Sequence, residues 1–532
     1  MFSTSTKMHH AYISLIIILA ALLLLSCGAD HRAVPSELDK NRQFVPDNRE
    51  MLGYIKDLTS FGYRRTGTPA GKKAVEYIRD RFRAFGLKNV EIEKFNSYRW
   101  EATACELVLD GKKINAFPLA NSMRAGEFGE FSAGAQGRTA DIVYVGAGSD
   151  EDYETVDVKN KIVVSDILFY DVEWRDFKGM SYFTHDPGGT LDGGMKHENP
   201  YISKNFPSNY YRAQKHGAAG FVGVLVDYFD RNTYYNEDLS LSSEFRDKGY
   251  MKIPGLYVSK SEGEKLKKMI AERSGAARAT LKFAVRVEPA LALNAIGYLP
   301  GKSKDIILVH SHHDSVFTGA VQDATGVAVV MAMAKYFSSA PSAARDKTLL
   351  FGAFDSHFSG YIANKGFIKK HNDKGERIVL DVCVEHVGLE AKNDNGRLAM
   401  TGDIEPRGIF VSENKKLISI TKQAVLGNNY GRFALLPTFS PLGVCSDAFY
   451  LHKSGVPVVS LISPPLYIYD VDDTLDKVAV DQLNPTASLL IDVVAGVDTL
   501  PSKEITRTSC ILSHRVGYYW WLAGKAVEMM RE

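Results

Sequence analysis

From about Leu293 onward the chain alternates short apolar runs with stretches of helical periodicity. Ile306 to Val309, Thr348 to Phe354, Ile378 to Val384 and Val456 to Ile462 are largely apolar and have the length of a buried strand. Between them, Val327 to Tyr336, Ile362 to Lys370 and Lys415 to Leu426 read as helices. A strand covered on both faces reads as a run rather than an alternation. The pattern therefore predicts an α/β fold, a mostly parallel sheet flanked by helices. In such sheets, sites form at the C-terminal ends of the strands. Upstream, Asn48 to about Phe95 reads helix, helix, strand, with Ala74, Tyr77, Ile78, Phe82 and Phe85 at helical spacing and Gly86 closing the helix. Around Arg138 the texture changes to short strands, Ile142 to Val145 and Ile162 to Val164, joined by Gly/Asp-rich turns. A stretch of little periodicity follows, about Phe169 to Tyr211, rich in Tyr, Phe, Asp and Gly.

The N-terminus carries a different signal. Ala11 to Leu25 is an apolar run broken only by Ser14 and preceded by Lys7. That is the length of a signal-peptide core and short for a bilayer span of about 20 residues. The run ends Leu24-Leu25-Ser26-Cys27-Gly28, which resembles the bacterial lipobox. The resemblance implies cleavage before Cys27 and a lipid on its thiol; the alternative is an uncleaved anchor with a chance cysteine. Gly28, not Asp, follows, so the usual inner-membrane retention signal is absent, and the expected location is exported and membrane-anchored, on the outer membrane. Residues 28 to about 46 read as a polar tether.

Composition narrows the classes. The chain has 532 residues, with Lys+Arg 64 against Asp+Glu 63. Such balance leaves no field for steering nucleic acid, so no nucleic-acid partner is expected. Apart from Cys27, the cysteines are Cys105, Cys383, Cys445 and Cys510, with no C-x-x-C pair, which excludes a zinc ribbon. They read as single thiols, in a compartment that permits disulfides.

Chemistry collects at predicted strand ends. Ile306 to Val309 runs into His310-Ser311-His312-His313-Asp314-Ser315, the next strand ends in Asp355-Ser356-His357, and the one after in Glu385-His386. A His two residues from an Asp suits a metal ligand and the carboxylate that orients it. Alternation puts His310 on the face of His312 and sends His313 elsewhere; His386 is expected to point away from Glu385 as a satisfied histidine. Asp355 reads as a structural strand-end carboxylate. Asp470, Asp472 and Asp473 read as a solvated turn, with cation or amine recognition as the alternative.

Two resemblances follow from these motifs. Lys159-Asn160-Lys161-Ile162-Val163-Val164, the Gly217-Ala218-Ala219-Gly220 turn and the Ile253-Pro254-Gly255-Leu256 strand start resemble a protease-associated domain, a lid or substrate-positioning module. The remainder resembles the co-catalytic zinc aminopeptidases, metallopeptidase family 28. It does so through Ile307 to Ser315, through Gly319-Ala320-Val321-Gln322-Asp323-Ala324-Thr325-Gly326, and through Ser446-Asp447-Ala448-Phe449, Gly455-Val456-Pro457 and Asp473-Thr474-Leu475-Asp476. The implied fold is the zinc-aminopeptidase-type (phosphorylase/hydrolase-like) sheet with an inserted β-rich domain. The implied division is a leader over 1–26, a tether over 27–46, a peptidase-like domain over 47–130 that resumes over 291–500, the insertion over 131–290, and a C-terminal helical segment over 501–532.

Carried over residue by residue, the resemblance gives His312 as first ligand and Asp314 as its orienting carboxylate. Glu385 falls at the second-metal carboxylate. Three positions depart: Gln322 stands where the bridging aspartate is expected, His357-Phe358 where a general-base glutamate and a ligand glutamate are expected, and Tyr469 at the final histidine. Phe358 has no lone pair, and an amide is a weak donor, so the two-metal mechanism is not supported. A one-residue slip would bring Asp323 into the bridging role without restoring the other two positions. Two readings stay open. One is a catalytically degenerate pseudopeptidase that binds a peptide or small ligand. The other is a hydrolase or cyclase on a rebuilt site with one zinc or iron held by His312, His357 and Glu385, with Gln322 as a weak donor and Tyr469 orienting a carbonyl.

Overall fold

The computed structural model describes residues 45–238, 246–273, 276–439 and 443–508, with 515 and 519. The leader, the tether, Cys27, Cys510 and most of the C-terminal segment after residue 508 lie outside the described residues. Among those described, no helix is long and apolar enough to cross a membrane, and Cys105, Cys383 and Cys445 are free thiols.

The apolar runs become the centre of one mixed sheet. Ile306–His312 lies between Thr348–Phe354 and Ile378–Val384, parallel to both. Ile378–Val384 continues in parallel to Val458–Ile462, and Arg407–Val411 then runs antiparallel. Every residue of Ile306–His312 is buried, as a strand covered by helices on both faces requires. One cover is the helix Gly326–Ser338, whose residues Gly326 to Ala334 are all buried. Gly326 is fixed by space: a Cβ there would lie 2.3 Å from Asp323 Oδ2 and 2.4 Å from the Val384 carbonyl oxygen.

A long antiparallel ribbon, Lys88–Leu109 against Arg278–Leu299, leaves this sheet and leads into the second unit. There Arg138–Tyr144, Ile162–Ile167, Gly220–Leu225 and Gly255–Ser259 pair in parallel. Ala116–Pro118, which precedes residue 131, pairs with Gly255–Ser259 and so belongs to this unit's sheet. Helices Ser208–Lys215 and Lys260–Ala271 lie between the parallel strands in sequence or just after them.

Arg64, on the loop after helix Asn48–Ser60, ties the N-terminal helices to the site. It is fully buried. Its Nε donates to the His313 carbonyl (2.9 Å), Nη1 to that of Thr318 (2.8 Å) and Nη2 to that of Gly319 (2.8 Å). Burial lowers its pKa to about 10 against the opposing carboxylates Asp473, Asp314 and Asp323. Replacing it strands three carbonyls away from water. Arg64→Met is expected to lower unfolding stability by about 3 kcal/mol, read by urea titration; a loss below about 1 kcal/mol would remove Arg64 from this role.

Candidate metal centre

Each candidate side chain sits where a central strand ends. His312 closes its strand, Glu385 and His386 follow Val384, and Asp355 to Phe358 follow Phe354. His386 and Ser356 hold left-handed backbone, with φ of 60° and 71°. This costs non-glycine residues energy and is retained where a side chain must be aimed.

The His312 ring has Nδ1 3.0 Å from the Asp314 carbonyl oxygen and 3.4 Å from Asp314 Oδ1. Its Nε2 is buried without a hydrogen-bond partner. Glu385 accepts the Asp447 backbone N–H at 2.8 Å through Oε1 and leaves Oε2 without a hydrogen bond. Burial, then the neighbouring Asp447, push its pKa up to about 7. The His386 ring has Nδ1 2.7 Å from the Ser463 carbonyl and 2.7 Å from Tyr201 Oη. Its Nε2 makes no hydrogen bond and faces Glu385 Oε2 at 4.0 Å. Burial, then the neighbouring His312, lower the His386 pKa to about 3, so this ring is neutral.

A second group lies beside the first. His357 stacks on His312 with ring centroids 4.1 Å apart and planes 17° from parallel. Its Nδ1 is 2.7 Å from Asp447 Oδ1, and its Nε2 is 3.3 Å from Glu237 Oε1. Burial opposes the charge on His357, but Asp447 and Glu237 outweigh it and raise the pKa well above the ordinary histidine value. Asp447 answers in kind: against burial, His357 holds its carboxyl well below the usual range. Glu237 accepts from the hydroxyls of Tyr361 (2.7 Å) and Tyr469 (2.8 Å). It arrives on a segment, residues 229–238, that follows strand Gly220–Leu225 of the second unit and reaches the strand ends. Tyr235 N–H donates to the Tyr469 carbonyl at 3.1 Å and Asp238 N–H to that of Phe358 at 3.2 Å.

Comparison with known proteins places this arrangement. The family description Peptidase family M28 matches residues 294–494. Over these residues the chain is similar to the M28 peptidases. Aminopeptidase YwaD of Bacillus subtilis is 25% identical over 452 residues, covering 84% of this chain and 83% of that protein. Two solved structures share the fold. One is a peptidase M28 precursor from Shewanella amazonensis, TM-score 0.62 and 19% identity over 86% of this chain and 96% of that one. The other is a zinc aminopeptidase from Bacillus subtilis, TM-score 0.59 and 20% identity over 86% of this chain and 98% of that one.

The donor set of these strand ends does not fit a metal pair. Phe358 packs its ring among Tyr235, His357 and Tyr469, at centroid distances of 6.0, 4.8 and 6.1 Å. Both Gln322 amide atoms are buried without hydrogen-bond partners. Asp323 does not replace the bridge, because it receives the Ser311 hydroxyl, the Gly326 N–H at 2.9 Å and the His386 N–H at 3.1 Å. It ties down the start of helix Gly326–Ser338 instead. A single position does fit, since His312, Glu385 and His386 each bring one ligand atom within 4.8 Å of the others, with His386 Nε2 facing Glu385 Oε2 at 4.0 Å.

Several sequence expectations are corrected. His386 faces Glu385 rather than pointing away, because its left-handed backbone overrides strand alternation. His312 and His357 do not converge on one ion: their lone pairs lie in nearly parallel ring planes, and His357 Nδ1 is taken by Asp447. Tyr469 is not free to orient a carbonyl, since its hydroxyl serves Glu237. The acidic turn is solvated only at Asp472; Asp470 and Asp473 are buried. Asp472 pairs with Arg231 at 2.8 Å, Asp470 accepts the Thr233 hydroxyl, and Asp473 accepts the Val321 and Gln322 N–H groups at 2.7 and 2.9 Å. His313 does turn away, its Nε2 2.7 Å from the Leu293 carbonyl, and Asp314 does lie behind His312. His310 pairs with buried Asp381 at 3.0 Å. Asp447 belongs to the Ser446-to-Phe449 motif, from which no role for it followed. Glu237 had no local signal, being one acid in a Tyr-rich stretch some 75 residues before the first site histidine.

Asp355 makes the electrostatics measurable. It accepts from Thr66, Leu293 N–H and Ser356 N–H at 2.6, 2.9 and 2.6 Å. Burial, then Asp314, push its pKa up to about 7 from 3.8. Between those values the folded chain holds a proton that the unfolded chain has released, so stability falls as pH rises through the window. Asp355→Asn removes this slope. The variant is expected to gain stability relative to the parent from pH 4 to 7, measured by urea unfolding at each pH; parallel curves would refute the raised pKa.

Proposed function

We propose that this protein is an exported, lipid-anchored relative of the M28 aminopeptidases that binds a peptide or small ligand at its strand ends without two-metal hydrolysis. The observation that carries the reading is His357. It occupies the position that the family resemblance assigns to the general base, yet both ring nitrogens face carboxylates. Two carboxylates beside one ring favour its protonated form, which is a poor acceptor of a proton from water. Phe358 adds an aromatic wall where a ligand carboxylate is expected.

A binding role has a place to act. An apolar cavity of about 90 Å³ lies beside the centre, lined by Trp174, Phe177, Phe410 and Ile462, with Tyr201 on its wall. Tyr201 also reaches His386 through its hydroxyl, so an apolar side chain in the cavity would lie next to the polar centre. The competing reading, a hydrolase or cyclase on one metal, draws its support from the three bare atoms of His312, Glu385 and His386.

The test is release of N-terminal residues from a panel of aminoacyl amides and short peptides by the full chain with added zinc, beside a parallel assay for cyclisation. The expected rate is indistinguishable from a Glu385→Ala control, while calorimetry detects binding of an apolar peptide. Turnover that disappears in both His312→Ala and Glu385→Ala would overturn the proposal.

A further inference from the structure

We infer that His312 Nε2, Glu385 Oε2 and His386 Nε2 form a site for one divalent transition-metal ion of the zinc class, with His386 as a ligand that the two-metal pattern does not supply. The inference rests on the reading that the metal pair is lost, and adds what the remaining donors hold.

Three observations carry it. First, all three atoms are buried and make no hydrogen bond, although they are strong acceptors. Buried polar atoms in native structures are nearly always partnered, so three bare ones on residues whose ligand atoms lie within 4.8 Å of one another need a common partner. Second, both rings are oriented for a metal. Each Nδ1 faces a backbone carbonyl, Asp314 for His312 and Ser463 for His386. A carbonyl can only accept, so Nδ1 carries the hydrogen and the neutral ring presents its lone pair at Nε2. This is the second layer of bonding that metal-binding histidines require. Third, buried carboxylates crowd the position: Asp314, Glu385 and Asp447 all lie out of water at these strand ends, and a dication is complementary to such a cluster.

In the alternative trio of His357, Glu385 and Asp447, His357 Nδ1 and Asp447 Oδ1 are bonded to each other at 2.7 Å, and His357 Nε2 lies 3.3 Å from Glu237 Oε1. Two imidazoles and a carboxylate select zinc, cobalt(II) or iron(II) over calcium or magnesium. Tetrahedral ligands about 2.1 Å from zinc lie about 3.4 Å apart. The 4.0 Å between His386 Nε2 and Glu385 Oε2 would close by about half an ångström. A water or the Gln322 amide is the available fourth donor.

The full chain is stripped with chelator, then titrated with zinc by calorimetry and with cobalt(II) by visible absorption. The expected result is one equivalent per chain, with the intense absorption of tetrahedral cobalt. His386→Ala is expected to weaken binding at least tenfold, as is the more conservative Glu385→Gln. His357→Gln is expected to keep the stoichiometry. Circular dichroism of each apo-variant shows whether it folds, and a folded Glu385→Gln decides the matter if His386→Ala does not fold. No binding by the folded parent chain, or binding unchanged in folded His386→Ala or Glu385→Gln, overturns the inference and leaves the pseudopeptidase reading standing. Two equivalents overturn both.

Discussion

A carboxylate taken out of water must meet a cation or hydrogen-bond donors, and this molecule concentrates that demand at the ends of its central strands. Asp314, Asp323, Asp355, Glu385, Asp447 and Asp473 are all buried there. Leaving even one such charge uncompensated costs several kcal/mol, so the surroundings are organised around them. Backbone N–H groups serve Asp323, Asp355 and Asp473. His357 serves Asp447 and Glu237 from its two nitrogens. The left-handed turn at His386 and the helix start at Gly326 are the backbone's share of the same arrangement.

His357 is the pivot of this balance. A histidine between two buried carboxylates supplies one positive charge with two fixed directions, whereas a metal supplies two charges with four or more. The change from one to the other alters what the pocket can do. A positive ring flanked by Tyr361 and Tyr469 donates; it does not withdraw protons. Phe358 beside it removes a donor and adds an apolar surface, and the aromatic contacts from Tyr235 to Tyr469 make that surface continuous.

Much of the fold was legible in the chain. The apolar runs from Ile306 to Ile462 are the central strands, because strands covered on both faces have no polar side to disguise them. His312, Asp314, Glu385 and His357 were visible as strand-end chemistry for the same reason. His386 was misjudged because alternation assumes an extended backbone, and the chain leaves that conformation one residue after Glu385. Glu237 was out of reach of any local pattern. It is brought to the site by a long-range return of the second unit, and no spacing within residues 229–238 distinguishes it from a surface acid. Tyr469 was legible only as the residue standing at the family's final histidine; its partner, and so its role, came from that same distant segment.

The crossing of residues 229–238 has a consequence for how the molecule is put together. The segment belongs to the second unit, yet it delivers the second carboxylate that His357 needs, and its backbone bonds to the carbonyls of Phe358 and Tyr469. The two units therefore share one electrostatic network. Lifting the segment would expose the centre and, in the same motion, leave a charged imidazole with half its counter-charge. The seat of this segment, fixed by its backbone bonds, is therefore also the seat of the charge that faces the ring beneath it.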